Sequence, residues 1–519
     1  MDITTVRKWS VLLASVVALP VSAAQWDFIP TIKLQEMYSS NIERRRSHDE
    51  TESFVTELTP GFIMSGFGPN LQANLNYGVT GLYYTDDSDA NTSHHKANGN
   101  ISYSPWRPLT LYSSALFDQA ITDLDRGLSN DISSRQGNIS DRKLLVVGTR
   151  YSNEHAGWAI VDADANYRWV DAEDELDATD GHNINLTANQ GDRFDRAFWQ
   201  LTYTDARESS DLGTAFHTVY GQAQVGYMLW KWLGAYTRYS YDDNSFASSD
   251  DETLKSYGAG VRISTGPQFI LDVGYNSVDE GDQDDFWNAS VSWLPTPLTA
   301  VIASYDRRFY GETYGLQLSH GTRKLRNEIR YDESFTTFSQ SSNSIFNLNF
   351  WCPLGVDSLD ASCSLADPSQ SVPPDQQQIT EDIPVSSISN QVYLNKQWSW
   401  TSSVKARSDT FALTAFHSSR EYERTEGVNQ TDRDTGVAFT WDKRLNERSK
   451  LNNRAVYRRY DAGANDGHDN EWSIRSGYIR QMWPSASATF AAEYNTRESY
   501  NGGTDFDEIR LIASMAAQF

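Results

Sequence analysis

The chain reads as an all-β transmembrane protein, an antiparallel up-and-down β-barrel of about 24 strands within a range of about 18–26. Three observations predict this. Apolar residues recur with a period of two along most of the 519 residues. Short Pro-, Gly- or Trp-marked turns alternate with acidic connections. The chain is also polar yet aromatic, with 39% hydrophobic residues, 13% Phe, Trp and Tyr, and a mean hydropathy of −0.58.

Composition removes several other classes. Asp and Glu number 69 against 44 Lys and Arg, a net charge of −25. Phosphate backbones need a basic face, so no nucleic-acid partner is expected. A bundle of membrane helices needs repeated apolar runs of about 18 residues or more, and these are absent. Disordered chains are poor in aromatic residues, which this one is not.

The chain opens with Arg7 and Lys8, an apolar stretch from Val11 to Val21, and small residues at Ser22, Ala23 and Ala24. That order matches a Sec-type signal peptide over residues 1–24, too short and wrongly flanked to be a membrane anchor. No Cys follows the cleavage site, so no lipid anchor is indicated. The expectation is one barrel domain over 25–519, with a first strand near 28–38 and no N-terminal plug.

The strands show their two faces directly. Leu71, Ala73, Leu75, Tyr77 and Val79 alternate with Gln72, Asn74, Asn76 and Thr80. Trp287, Ala289, Val291 and Trp293 stand opposite Asn288, Ser290 and Ser292. Val437, Phe439 and Trp441 alternate with Gly436, Ala438 and Thr440, and Leu325, Ile329 and Tyr331 with Arg326, Glu328 and Arg330. The final segment sets Ile509, Leu511, Ala513, Met515, Ala517 and Phe519 against Arg510, Ile512, Ser514, Ala516 and Gln518. Such alternation gives one apolar and one wet face per strand.

Short turns are marked by sequences such as Gly68-Pro69, Pro105 to Pro108, Gly266-Pro267, Pro295 to Pro297 and Trp483-Pro484. Weaker signals fall near 154, 192, 231, 322, 408 and 447. Eleven such turns give 22 strands, and the first and last strands make 24. The acidic connections, Asp86–Ala90, Asp242–Glu252, Asp279–Asp285, Thr425–Asp434 and Asp461–Asp469, predict long loops at the extracellular end. A soluble sandwich or propeller would hide the apolar faces in a core. The unbroken hairpin series, the aromatic C-terminal residue and Trp at strand ends (Trp106, Trp158, Trp230, Trp232, Trp293, Trp398, Trp400, Trp483) favour the membrane barrel and a Gram-negative outer-membrane location.

Three stretches carry a family resemblance. The first is Ile29-Pro30-Thr31-Ile32-Lys33-Leu34, leading to Tyr38 and Asn41-Ile42. The second is Leu58-Thr59-Pro60-Gly61-Phe62, followed by Ala73-Asn74-Leu75-Asn76-Tyr77. The third is Tyr305-Asp306-Arg307-Arg308-Phe309-Tyr310-Gly311 with Tyr314-Gly315-Leu316. Together they resemble the PEP-CTERM system-associated outer-membrane proteins, a family of β-barrels that accompanies exosortase and exopolysaccharide loci. The resemblance spans most of the mature chain. It implies a porin-like or export conduit, with exopolysaccharide or its synthesis and export proteins as partners, and it assigns no residue a role.

The residues themselves offer few chemical sites. His417-x-Ser419 on one strand face resembles the pairing used by outer-membrane phospholipases, but no orienting third group stands out. No enzyme activity is therefore expected. The acidic runs Asp250-Asp251-Glu252 and Asp279 to Asp285 lack the spacing of a calcium loop and read as a solvated rim, in contact with outer-membrane lipid and lipopolysaccharide. No cofactor or metal is implied.

Lys324, Arg326, Arg330, Arg420, Arg424, Arg454 and Arg458 form a candidate basic strip on the inner face. The alternative is charge pairing with neighbours such as Glu328 and Glu421. Cys352 and Cys363, the only cysteines, read as one disulfide inside a long loop at 339–387 that could enter the lumen or cap the mouth. Phe519 reads as the terminal signal for the barrel-assembly machinery. The competing functional classes are a structural or assembly barrel with a closed lumen and, on His417 and Ser419 alone, a hydrolase.

Overall fold

The computed structural model describes residues 24–121, 132–135, 139–153, 156–172, 176–210, 215–246, 252–281, 283–336, 347–353, 364–365, 376–382, 392–422, 430–461, 463, 467–500 and 503–519. The signal-peptide assignment and Arg424 lie outside these residues. So does Cys363, and nothing is described of the Cys352 side chain.

The first strands are β1 (Gln25–Ser39), β2 (Ser53–Phe67), β3 (Leu71–Tyr84), β4 (Thr92–Trp106), β5 (Leu109–Ile121), β6 (Ile139–Asn153), β7 (Ala159–Ala172) and β8 (Leu176–Gln190). The wall continues through β9 (Ala197–Ser210), β10 (Ala215–Met228), β11 (Leu233–Phe246), β12 (Glu252–Gly266), β13 (Phe269–Glu280), β14 (Phe286–Thr296), β15 (Thr299–Arg308), β16 (Gly311–Gly321) and β17 (Leu325–Thr336). Three short strands follow, β18 (Asn347–Pro353), β19 (Ser364–Leu365) and β20 (Gln376–Asp382), and form a separate sheet. The wall resumes with β21 (Tyr393–Lys405), β22 (Asp409–Tyr422), β23 (Gln430–Asn446), β24 (Ser449–Asp461), β25 (His468–Trp483), β26 (Ala486–Ser499) and β27 (Phe506–Gln518).

Every wall strand pairs antiparallel with its neighbours, and β17 pairs with β21 across the excursion. The sheet closes where β1 meets β27, from Thr31 opposite Gln518 to Ser39 opposite Arg510. Closure satisfies both edge ladders, as lipid requires. The 24 strands, about 4.8 Å apart and tilted about 40°, would enclose a circular backbone cylinder of roughly 24 Å radius.

The start of β1, the end of β27 and eleven short connections between wall strands lie at one end of the barrel. At the β12–β13 connection of this end Gly266 has φ +109°, and at the β15–β16 connection of the opposite end Gly311 has φ +115°, conformations that an L side chain rarely adopts.

The opposite end corrects the sequence reading. Wall strands run from 10 residues (β15) to 17 (β23), most of them longer than the roughly 9–11 that a membrane needs. Much of what reads as acidic loop is strand: 242–246 belong to β11, Asp279 and Glu280 to β13, 430–434 to β23. The physical reason is that above the bilayer both faces of a strand are wet. Polar residues there mark contact with water, while the backbone ladder continues. The 339–387 loop carries β18–β20 rather than being wholly irregular.

Register fixes which residues face out. Tyr38, Leu34, Leu511 and Met515 share the outer face at the closure seam, and Leu34, Leu511 and Met515 are 47%, 54% and 44% exposed. Trp106, Trp230, Trp232, Trp293 and Trp483 are exposed near the short-turn end. Toward the other end, outward rings pair across strands: Tyr275–Trp287 at 5.1 Å, Tyr305–Tyr314 at 5.3 Å and Tyr457–Trp472 at 4.7 Å. Above this second girdle the tyrosines donate to carboxylates, Tyr167 to Asp180 at 3.1 Å, Tyr241 to Asp243 at 3.0 Å and Tyr494 to Asp507 at 2.7 Å. An apolar belt between two aromatic girdles is the outer surface of a membrane-spanning barrel.

Candidate functional site: the lumen and its mouth

The inner face of the barrel changes character along its height. In the half nearer the short turns it is open along β1, β6 and β17, and packed around Phe198, whose ring centroid lies 3.9 Å from the Arg262 guanidinium. Arg326 and Arg330 of β17 have side chains 57% and 58% exposed, beside Glu328 at 4.0 Å and Asp332 at 3.1 Å respectively. Arg150 of β6 reaches Asp164 at 3.1 Å and Lys33 of β1 reaches Glu57 at 3.1 Å. Screening by water leaves such pairs worth about 0–1 kcal/mol.

In the other half the inner face is packed. Across β23–β27 opposite charges meet strand by strand. Arg458 forks onto Asp434, with Nε 2.7 Å from Oδ1, and both are shut off from solvent. Arg497 donates to Asp469 at 2.7 Å. Glu508 accepts from Arg510 at 2.6 Å and from Arg44, in the 40–52 loop, at 3.0 Å. A second lattice joins β11–β15: Arg262 to Asp272 at 2.6 Å, close to the short β12–β13 turn, then Arg308 to Asp242 at 2.6 Å, and Arg238 to Asp306. The last two pairs span from β15 to β11 and draw these strands together across the lumen.

Apolar clusters pack beside these pairs. Met37, Ile42, Val55, Leu82 and Ile512 form one buried cluster against Ile132. The backbone carbonyl of Ser133 accepts from the Tyr84 hydroxyl at 3.0 Å. Arg135 is held by Glu43, Asp86 and Asp87 at 2.9, 2.8 and 3.2 Å. Residues 132–135 are thus clasped onto β1–β3. A second cluster gathers Ala206, Phe216, Leu254 and Phe309, with Tyr310 and Phe335 against it. The rings of Phe309 and Phe335 lie 5.0 Å apart. Beside it a cavity is lined by Arg168, Asn183, Glu208, Ser334 and Phe335.

The residues singled out as a basic strip fall in different places. Lys324 stands in the short β16–β17 turn, not on an inner strand face, because β17 begins only at Leu325. Arg326 and Arg330 face the open half. Arg454 shares the inner face and stands opposite Arg475. Arg458 is neutralised by Asp434. Arg420 is 3% exposed, opposite Asp432, and its Nε and Nη2 have no hydrogen-bond partner. Among the described members the strip is therefore interleaved with acids rather than a continuous cationic track.

Sequence reasoning missed Arg44, Asp434, Asp469, Arg497 and Glu508. The available signal was parity: Glu508 and Arg510 share the face that carries Ser514. Their partners required the strand register. His417 and Ser419 face outward, since Phe416 and Ser418 are buried inside. His417 Nδ1 meets the Thr435 hydroxyl at 2.7 Å. Phe519 is 77% exposed, and its N–H donates to the Pro30 carbonyl at 3.0 Å. Among the described residues no cluster of His, Cys, Asp and Glu is arranged to hold a metal ion.

No family model matches the chain, and no curated protein matches it. Several solved structures resemble it. The FrpB iron transporter (F3-3 variant) from Neisseria meningitidis is 9% identical over 95% of this chain and 82% of that one, with a TM-score of 0.45. The siderophore receptor PirA from Acinetobacter baumannii is 9% identical over 95% and 80%, at 0.42. A loop L8 deletion mutant of OmpT, an outer membrane protein of Vibrio cholerae, is 8% identical over 96% and 100%, at 0.32. These are distant likenesses of fold, and they bring no solute or activity to this chain. The closed antiparallel sheet, its apolar outer belt and its two aromatic girdles make the protein a β-barrel of the Gram-negative outer membrane.

Proposed function

We propose that the barrel is a gated conduit across the outer membrane, porin-like or serving export, associated with exopolysaccharide and exosortase (PEP-CTERM) physiology. The observation that carries this reading is the hydrated half of the lumen, where Arg326 and Arg330 stand more than half exposed on a wall of 24 strands. A purely structural barrel has no need of a wide charged vestibule. The family association rests on the three resembling stretches, and neighbouring polysaccharide-synthesis genes would support it. The barrel carries no catalytic activity in this reading. Any lipid hydrolysis by the purified protein that disappears in a His417→Ala variant would refute that part.

A second reading is a structural or assembly barrel with a closed lumen, favoured by the packed mouth around Phe309 and Phe335. Planar-bilayer recording separates the two. The conduit reading expects channel steps, rare in the native chain and more frequent after Tyr310→Ala with Phe335→Ala or removal of residues 341–385. Silence of all three proteins at every voltage overturns it. The same reading joins Cys352 to Cys363, keeping the loop compact. Alkylation of either cysteine without prior reduction would contradict the pairing.

A further inference from the structure

The outer rim is largely acidic, but at one place it presents a row of nitrogen-bearing side chains. His182 of β8 pairs in register with Arg207 of β9, and Arg207 pairs with His217 of β10. Adjacent strands lie about 4.8 Å apart, so the three side chains span about 10 Å. All three face outward, because Glu208 and Phe216 beside them are buried on the inner face. Arg207 is exposed. The histidine side chains are 43% and 40% exposed.

One step toward the membrane lies Asp205. Its Oδ1 is 3.5 Å from His182 Nε2 and 3.3 Å from His217 Nε2. Tyr203, of the second aromatic girdle, donates to Asp205 Oδ2 at 3.2 Å. The carboxylate oxygen thus stands between the two rings, within 4 Å of each. Flanking acids are occupied: Asp180 accepts from Tyr167 on the β7 side, and Asp243 from Tyr241 on the β11 side. The row sits just above the tyrosine girdle, at the depth of lipid headgroups.

We propose that His182, Arg207 and His217 form a docking surface for the phosphate of an outer-leaflet lipid. A guanidinium gives a phosphate two parallel N–H bonds, and an imidazole on each side adds a donor. Histidine as a residue type gains its charge between about pH 8 and pH 5, so a comparison of two pH values reads the part the two rings play. Tyr167, Tyr203 and Tyr241 stay neutral throughout this range. The surface lies outside the lumen and is independent of whether the barrel conducts.

The test uses the full-length barrel in detergent, titrated with diphosphoryl lipid A and with its phosphate-free form at about pH 5.5 and about pH 8. Bound lipid is counted by native mass spectrometry. Expected is phosphate-dependent binding that tightens about 3–10-fold at the lower pH. His182→Asn with His217→Asn should abolish the pH effect, and Arg207→Gln should weaken binding at both pH values. Heat-resistant migration in each variant shows that the barrel is intact. Equal binding of the phosphate-free lipid, or unchanged binding and pH response in the variants, overturns the proposal.

Discussion

Arg44 of the first extracellular loop donates from Nε to Glu508 of the last strand at 3.0 Å, with both side chains sealed from solvent. The pair ties loop 40–52 over the seam where β1 closes against β27. Glu508 also accepts from Ser39 at 2.7 Å and Arg510 at 2.6 Å. Removing one partner of a buried pair leaves a charge without compensation and costs about 3–5 kcal/mol. Glu508→Leu strands two arginines, whereas Arg44→Met leaves Glu508 still paired with Arg510. Urea unfolding in lipid vesicles should therefore show a larger loss for Glu508→Leu than for Arg44→Met. The reverse order would contradict this division of roles.

Acid should release a different contact at the mouth. Burial raises the Asp86 carboxyl, but the Ser53 hydroxyl, its own backbone N–H and the Arg135 guanidinium outweigh that, and the group titrates below its usual range. A lowered folded-state value stabilises above the unfolded carboxylate value, near pH 4, and the contribution fades as pH falls through the folded value. The clasp of residues 132–135 should thus hold unchanged between about pH 8 and pH 5 and loosen only below about pH 4. A spin label on Asp49→Cys would report this as mobility appearing only in strong acid. Mobility that rises already near pH 6 would place the clasp on other groups.

A thin inner wall depends on glycine at one checkable position. The Tyr112 ring of β5 lies flat over Gly148 of β6, so a Cβ there would come within 2.5 Å of the ring and 2.9 Å of Asn166 Cβ. The Tyr112 hydroxyl meanwhile donates to Asp164 at 2.8 Å. Gly148→Ala should cost about 1–3 kcal/mol by forcing the ring off its site. Combining it with Tyr112→Leu should return part of that loss, because the obstructing atoms are side chains. If the double variant were less stable than the sum of the two single changes, the ring would not be the obstacle.

The barrel itself was legible because lipid and water impose opposite demands on alternate residues. Leu511 and Met515 against Ser514 needed no partner to be assigned a face. What packs the inner face toward the mouth was not legible, since the pairs Arg458–Asp434 and Arg308–Asp242 depend on register and on wall curvature. Ile512, an apolar residue on the polar parity, was the visible clue that the mouth is packed: it joins Met37, Val55 and Leu82 inside. The acidic stretches misled about loop length because composition reports the solvent around a strand, not the end of its ladder.

The last strand allows the sharpest test of facing. Met515 stands outward beside Leu34 and Ala488, while Ser514 stands inward beside Gln35 and Thr489. Arg at Met515 would face lipid and should cost about 2–4 kcal/mol near the bilayer midplane and less near an interface. Arg at Ser514 would enter the hydrated half of the lumen and should be tolerated. Deleting Phe519 removes both the aromatic end and the N–H donated to Pro30, 3.0 Å away, at the closing seam. It should reduce heat-resistant barrel far more than neutralising a loop acid such as Asp284→Asn. Assembly is read as the fraction of protein that migrates folded without boiling. Equal fractions for Ser514→Arg and Met515→Arg would mean that the two faces of β27 meet the same surroundings, which a closed barrel in lipid does not permit.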